Sequence, residues 1–228
     1  MRFAISQPID KLLDGGIEAG CITNFYGTPA SGKTNIANCA VVSVINSGKK
    51  VVYVDTEGGF SSDRLEQISK SPARKYTDKT ILLEPKNWGE QSEAIRKIGK
   101  IMDKENIGLI VVDSVAALWR ITVDDKNFQE VNRELATQLS LLSKYAREKN
   151  IPVLITNQVY ADVETGKVEM SARNIVKWWS KNIVELSHAG RTACRIARIV
   201  RARSLGEDKQ IEFQIVNEGL KEVKFKIF

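Results

Sequence analysis

The chain is poor in the residues that build metal centres and covalent staples. Its 228 residues include three cysteines and one histidine. Cys21, Cys39 and Cys194 are scattered, odd in number and without C-x-x-C spacing. That pattern argues against a disulfide framework and fits small buried hydrophobes in a reducing compartment. His188 stands alone, so no zinc-ligand set is present at a usable spacing. No apolar run approaches the ~18–20 residues that would cross a bilayer. The opening Met1-Arg-Phe-Ala-Ile-Ser-Gln-Pro8 has no sustained apolar stretch or cleavage pattern, so export is not expected. Internal repeats, low-complexity tracts and long linkers are also missing. What is left is a globular profile, 43% hydrophobic and 27% charged, with ample length for a buried core. That length suits one large α/β domain or two small ones.

Negative charge is in deficit. Lys and Arg number 34 against 28 for Asp and Glu, giving a formal charge of +6. This favours a polyanionic partner, and fits a lysine-rich solvated surface equally well.

Against that background one segment carries specific chemistry. Gly27-Thr28-Pro29-Ala30-Ser31-Gly32-Lys33-Thr34 fits G-x-x-x-x-G-K-[ST], a phosphate-binding loop. The two glycines let successive backbone N–H groups converge on phosphates, Lys33 adds a point charge, and Thr34 offers a hydroxyl to Mg²⁺. The required setting is strand, loop, helix. Cys21–Tyr26 reads as the strand and Asn35–Asn46 as the helix, whose dipole favours an anion at its start.

Strand-like and helical runs then alternate. Lys50–Asp55, Thr80–Glu84, Ile107–Asp113 and Ile151–Thr156 read as strands, the third apolar throughout as a central parallel strand should be. Ser61–Lys70, Trp88–Asp103 and Asn127–Lys149 read as helices. From about Asn182 the helices stop. Ile183–Leu186, Thr192–Val200, Gln210–Val216 and Val223–Ile227 read as successive strands in hairpins. The expected fold is α/β, a mainly parallel central sheet with helices on both faces and antiparallel C-terminal edge strands, in one domain over residues 1–228.

Three strand ends add candidate chemistry. Asp113 ends an apolar strand downstream of the phosphate loop, the position that supports Mg²⁺ in such folds. Asp55-Thr-Glu57-Gly58 places two carboxylates where one can orient or deprotonate water. An isolated segment of this kind would equally be a turn with solvated acids. Thr156-Asn-Gln158 offers a neutral amide that can touch a terminal phosphate and move when it leaves. Its bland reading is a polar strand end satisfying backbone groups.

Gly27–Thr34, Val54-Asp-Thr-Glu-Gly58, Val111-Val-Asp-Ser114 and Ile155-Thr-Asn-Gln-Val159, in this order and spacing, resemble the ATPase core of the RecA/RadA recombinase family. The likeness covers nearly the whole chain and is closest to short archaeal RadA paralogues. Ile9–Gly16, Asp55–Ser61 and Asn150–Val153 echo their pattern. The resemblance implies a RecA-like P-loop ATPase core, an archaeal cytoplasmic source, ATP and Mg²⁺ as cofactors, and a weak ATPase that assists or regulates recombination and repair. It implies roles for single residues too. Glu57 matches the water-activating glutamate, Gln158 the glutamine that couples nucleotide to DNA, and Arg64 an arginine that stacks on adenine. Segments after Asp113 and Gln158 match the two DNA-facing loops. Arg120 and Lys126 in the first, with Lys167, Arg173 and Lys177 in or just after the second, are the candidate phosphate contacts, and Trp119 a candidate stacking residue. Asp124, Asp125, Asp162, Glu164 and Glu169 oppose phosphate there. Trp178-Trp179 is a stacking platform, core or a subunit contact. Arg201 and Arg203 match a basic pair that reaches a neighbour's γ-phosphate, and read equally as DNA contacts.

The chain also departs from full-length recombinases. Only 26 residues precede Gly27, Phe3-Ala-Ile-Ser6 does not fit the polymerisation motif Phe-x-x-Ala, and the first DNA loop lacks glycines. An N-terminal helical DNA-binding domain, filament formation and strand exchange are therefore not expected. The expected partners are single-stranded DNA and the main recombinase RadA, with a homo-oligomer allowed. The rival readings are a nucleotide-gated protein-binding regulator with little DNA contact and a KaiC-like regulatory ATPase.

Overall fold

The computed structural model describes residues 1–161 and 168–223. In chain order the strands are β1 (Arg2–Phe3), β2 (Ile17–Glu18), β3 (Ile22–Gly27), β4 (Lys50–Asp55), β5 (Thr80–Leu83), β6 (Ile107–Asp113), β7 (Val153–Ala161), β8 (Val168–Met170), β9 (Ser180–His188), β10 (Cys194–Arg201), β11 (Gln210–Val216) and β12 (Gly219–Glu222). The helices are α1 (Gln7–Leu12), α2 (Lys33–Asn46), α3 (Ser62–Ser69), α4 (Arg74–Thr77), α5 (Trp88–Met102), α6 (Ala117–Thr122), α7 (Phe128–Lys149) and α8 (Arg173–Trp179). The main sheet runs β12-β11-β10-β9-β3-β7-β6-β4-β5. From β9 to β5 all neighbours are parallel, and from β9 to β12 they are antiparallel.

The strands sort their side chains by alternation. Val51, Tyr53, Leu109 and Val111 point to one face, into a core closed by Ile36, Val41 and Ile45 of α2 and Leu65 of α3. Val52, Val54, Ile110 and Val112 point to the other, against Ile95 and Ile98 of α5 and Leu135, Leu139 and Leu142 of α7. Burial on both faces is why these strands are apolar without a polar stripe. Two buried amides pin the turn after β6. Gln91 Nε2 donates to the Val115 carbonyl at 3.0 Å and to Gln138 Oε1 at 2.8 Å.

The parallel core and antiparallel edge agree with the sequence reading. Some details do not. The last strand begins at Gly219 rather than Val223, because Asn217-Glu218 alone turns the chain and pairs Val216 with Gly219. Residues 224–227 of the expected strand lie outside the described residues. The segment Trp119–Lys126 is not a free loop. Its first residues belong to α6, Trp119 is partly buried, and its Nε1 donates to Asn132 Oδ1 at 3.0 Å. An indole bonded to α7 is not a free stacking surface. Among the described residues no helix is long and apolar enough to cross a membrane.

Candidate nucleotide site

In an open parallel sheet, ligands gather beyond the carboxyl ends of the strands. Here β3, β4, β6 and β7 all end at one cleft of about 420 Å³, lined by the loop after β3 together with Glu57, Asp113, Gln158, Arg195 and Ile215. Gly27 closes β3 against the backbone of β9, and a Cβ there would stand 2.1 Å from the Leu186 carbonyl oxygen. Gly32 starts α2 with φ of 102°, a conformation glycine adopts without strain. Lys33 is buried, and its Nζ donates to the carbonyls of Gly27 at 3.0 Å and Thr28 at 2.9 Å. Burial lowers the Lys33 pKa, partly opposed by the charges of Glu57 and Asp113.

Asp113 is also buried, at the end of β6. Tyr53 Oη donates to its Oδ2 at 2.9 Å and Thr156 Oγ1 to its Oδ1. Desolvation raises the Asp113 pKa, while hydrogen bonds from Thr156, Thr34 and Tyr53 work the other way. These contacts bring Thr34 and Asp113 together. A cis peptide joins Asp113 to Ser114.

The two carboxylates after β4 have different jobs. Asp55 is turned inward. Its Oδ1 accepts from the backbone N–H groups of Glu57, Gly58 and Gly59 at 3.1, 2.8 and 3.1 Å, and its Oδ2 from Phe60 N–H at 2.9 Å. It builds the turn that presents Glu57. Glu57 accepts from Ser114 Oγ on one oxygen and from Gln158 Nε2 at 2.6 Å on the other. The ends of β4, β6 and β7 are thereby tied into one polar chain.

The residues fit a nucleotide with Mg²⁺. Thr28 Oγ1 and Ser31 Oγ are buried in the loop without a partner among the described residues, an arrangement that costs free energy unless a ligand satisfies them. Beside Thr34 and Asp113 a cradle is kept open by Gly59, whose missing Cβ would lie 3.6 Å from Thr34 Oγ1 and 3.8 Å from Asp113 Oδ2. One hydroxyl and one carboxylate suit Mg²⁺, which keeps waters and phosphate oxygens as its other ligands. Among the described residues no cluster of three or more His, Cys, Asp or Glu forms a protein cage for a metal.

Arg64 borders the cleft through Asn35, one of its lining residues. Its guanidinium ties α3 to Asn35 Oδ1 at 2.7 Å and to the carbonyls of Val216 and Asn217 at 2.7 and 3.1 Å. Arg120 and Lys126 are exposed beyond β6. Asp124 is a turn former, its Oδ1 accepting from Lys126 and Asn127 N–H at 2.8 and 2.9 Å. Arg173 pairs with Glu169 at 2.5 Å, and Lys177 is exposed on α8. Lys167 lies outside the described residues. Arg201 and Arg203 stand at the opposite end of β10 from the cleft. Arg201 Nη1 donates to the Lys177 carbonyl at 2.9 Å, and Arg203 pairs with Glu18 at 3.2 Å.

The sequence reading missed Arg195 as a cleft residue. Its Nε donates to the Ala30 carbonyl at 2.9 Å. It was visible only as one of several arginines along β10. The antiparallel register, which sets Arg195 opposite His188 at the cleft end of β9, is what selects it.

The fold and the cleft define a RecA-like α/β protein with a phosphate-binding loop. The Rad51 family model matches residues 3–223, and the chain belongs to that family. It is 40% identical to the DNA repair and recombination protein RadB of Methanobrevibacter smithii, over 96% of this chain and 95% of the relative. It is 38% identical to the protein of the same name from Methanococcoides burtonii, over 94% and 95%. A crystal structure of the RadB recombinase superposes with a TM-score of 0.83 at 33% identity, covering 97% of this chain and all of that one. The chain thus stands among DNA repair and recombination proteins, a family whose recombinases bind ATP with Mg²⁺.

Proposed function

We propose that this protein binds ATP and Mg²⁺, hydrolyses ATP weakly, and acts with single-stranded DNA and the main recombinase RadA as an accessory factor in recombination and repair. The observation that carries this reading is the hydrogen bond between Glu57 and Gln158 at the mouth of the phosphate loop. It joins a carboxylate suited to water activation to the strand whose continuation forms the β7–β8 hairpin.

Lys33 would exchange its two carbonyl partners for phosphate oxygens, and Thr34 with Asp113 would hold the cation. Bound Mg²⁺ supplies charge neutralisation at the phosphates and polarises the terminal phosphoryl group. Glu57 is held on both oxygens, by Ser114 and Gln158, so its remaining lone pairs are aimed and can orient water or take its proton. Gln158 gains a choice between Glu57 and a terminal phosphate, which is how occupancy reaches the hairpin. Catalysis is positioning and electrostatics, with little covalent work by the protein. Turnover by the protein alone is expected below the ~10 per second of a typical enzyme.

The alternative, a nucleotide-gated regulator with little DNA contact, is favoured by one observation. The expected DNA loops are partly neutralised, since Arg173 is paired with Glu169 and Trp119 is docked on α7.

Titration with a fluorescent ATP analogue and Mg²⁺ tests the cleft. Lys33→Ala should weaken binding roughly tenfold to a hundredfold, the loss expected for charge-assisted hydrogen bonds. Equal affinity in both proteins, or none in wild type, removes the nucleotide reading.

A further inference from the structure

A second surface lies at the end of the sheet opposite the cleft. β9 runs parallel to β3, with Ser180 beside Ile22 and Leu186 beside Gly27, so α8 descends from the cleft end and stops where β9 begins. There the two adjacent tryptophans part company. Trp179 is partly buried against the core, while Trp178 is 76% exposed. Successive helical residues point ~100° apart, so one ring buried leaves the next outside.

Cations flank this bare indole along the chain. Lys177 is exposed next to it, and Lys181 is exposed just past the helix. Arg201 lies against the helix end through its bond to the Lys177 carbonyl. Arg2, Lys181 and Arg203 all act on the buried Cys21 thiol, which burial and Glu18 push up to about 11 against their pull. Two acids lie near this group and both are paired: Glu18 with Arg203, and Glu169, which shares a pocket with Lys177, with Arg173. Among the described residues Lys177, Lys181 and Arg201 form no ion pair.

An exposed aliphatic side chain needs no explanation. A large exposed indole amid unpaired cations does. Single-stranded nucleic acid offers a phosphate for each cation and a base face for the ring, and stacking of this kind tolerates any sequence. A protein partner would need an acidic rim around an apolar socket. We propose that this surface is a binding site for single-stranded nucleic acid. Trp178 stacks on a base, and Lys177, Lys181 and Arg201 hold flanking phosphates. Arg201 and Arg203 then belong to nucleic-acid contact and not to a neighbour's nucleotide. The proposal rests on the reading of the protein as a DNA partner but is independent of its nucleotide cleft.

The test is anisotropy with labelled oligo-dT of about 16 nucleotides, the upper site size for one binding groove, titrated over salt on the full chain. Trp178→Ala should weaken binding about tenfold, the scale of one lost stack, and Trp178→Phe should keep most of the affinity. Lys177→Gln with Lys181→Gln should reduce the slope of log affinity against log salt by about 1.4, or ~0.7 per phosphate. Arg120→Ala, in the first expected DNA loop, should weaken binding less than Trp178→Ala does. Unchanged unfolding midpoints and an unchanged response to MgATP show that each variant is folded and that the cleft reading is tested separately. Three results overturn the proposal. Wild type does not bind oligo-dT; Arg120→Ala weakens binding while Trp178→Ala does not; or Trp178→Ala abolishes self-association in sedimentation while DNA affinity stays, which assigns the surface to a second copy of the chain.

Discussion

Gly59→Ala should cripple cation-dependent nucleotide binding and spare the fold. Gly59 has no left-handed φ, so alanine can adopt its backbone. The added Cβ would lie 3.3 Å from Thr34 Cγ2, 3.6 Å from Thr34 Oγ1 and 3.8 Å from Asp113 Oδ2. Only the first is slightly tight, so the ligand-free stability should move by less than ~1 kcal/mol. The methyl does, however, fill the cradle over the hydroxyl and carboxylate. Mg²⁺ requires near-octahedral oxygens at ~2.0–2.1 Å and tolerates little distortion, so one water or phosphate oxygen is displaced. We set that loss at about tenfold in affinity, or ~1.4 kcal/mol. With ligand at about a hundred times Kd, wild type gains ~2.7 kcal/mol. At ~2–4 °C per kcal/mol for a chain of this size, its midpoint rises by roughly 5–10 °C. At the same ligand concentration the variant keeps ~1.4 kcal/mol, roughly half the shift. Differential scanning fluorimetry with MgATP, against ATP plus chelator, reads this directly. An equal MgATP shift in both proteins would refute a cation between Thr34 and Asp113. A large fall in the ligand-free midpoint would refute the claim that the cradle is open space.

Glu57→Gln keeps the side chain's size and its capacity to accept from Gln158, but removes the base. Phosphate release should fall by ~10²–10⁴-fold with the MgATP midpoint shift unchanged, and undiminished release would take Glu57 out of water activation. Asp113→Asn should raise the midpoint of the ligand- and metal-free protein by a few degrees at neutral pH while abolishing the MgATP shift. The sign follows from burial. A carboxyl whose folded pKa is raised above 3.8 stabilises the fold at low pH, and that contribution is lost as pH rises through the folded value. Its ionised form therefore costs stability at neutral pH, and the variant's advantage should narrow toward about pH 4. Thermal scans across pH check this, and an unchanged or lower midpoint at neutral pH would count against it.

The parallel core was legible because burial on both faces leaves a plain trace, an uninterrupted apolar run such as Leu109–Val112 closed by Asp113. The phosphate loop was legible because its chemistry demands fixed residues at fixed spacing. The roles of Asp55 and Glu57 were not separable in sequence. Both are carboxylates at a strand end, and only the backbone path makes one a turn anchor and the other a cleft residue. Trp178 and Trp179 were equally ambiguous, because a seven-residue helix is too short for its apolar stripe to show which ring faces inward. Arg195 and Arg201 looked alike along one strand. The register of β10 on β9 sends them to opposite ends of the molecule.

The ligand-free cleft is electrostatically incomplete in a way that favours its ligand. Lys33 and Asp113 are both buried, and for both the leading influence is desolvation toward the neutral form. Among the described residues neither has a counter-ion bonded to it. Lys33 donates to two carbonyls, and Asp113 accepts from hydroxyls. A nucleotide with its cation brings the missing charge of each sign to the group that lacks it, so part of the binding free energy is relief of two existing penalties. On the proposed reading the same arrival would also disturb Glu57 and Gln158, whose hydrogen bond lies at the mouth of the cleft. The Gln158 backbone is tied onward. Its carbonyl accepts from Ser171 N–H at 2.9 Å, and two residues further on α8 begins. That helix is short, and its last turn holds Trp178 at the far end of the sheet. Cleft and basic surface are therefore joined by one strand end and one helix.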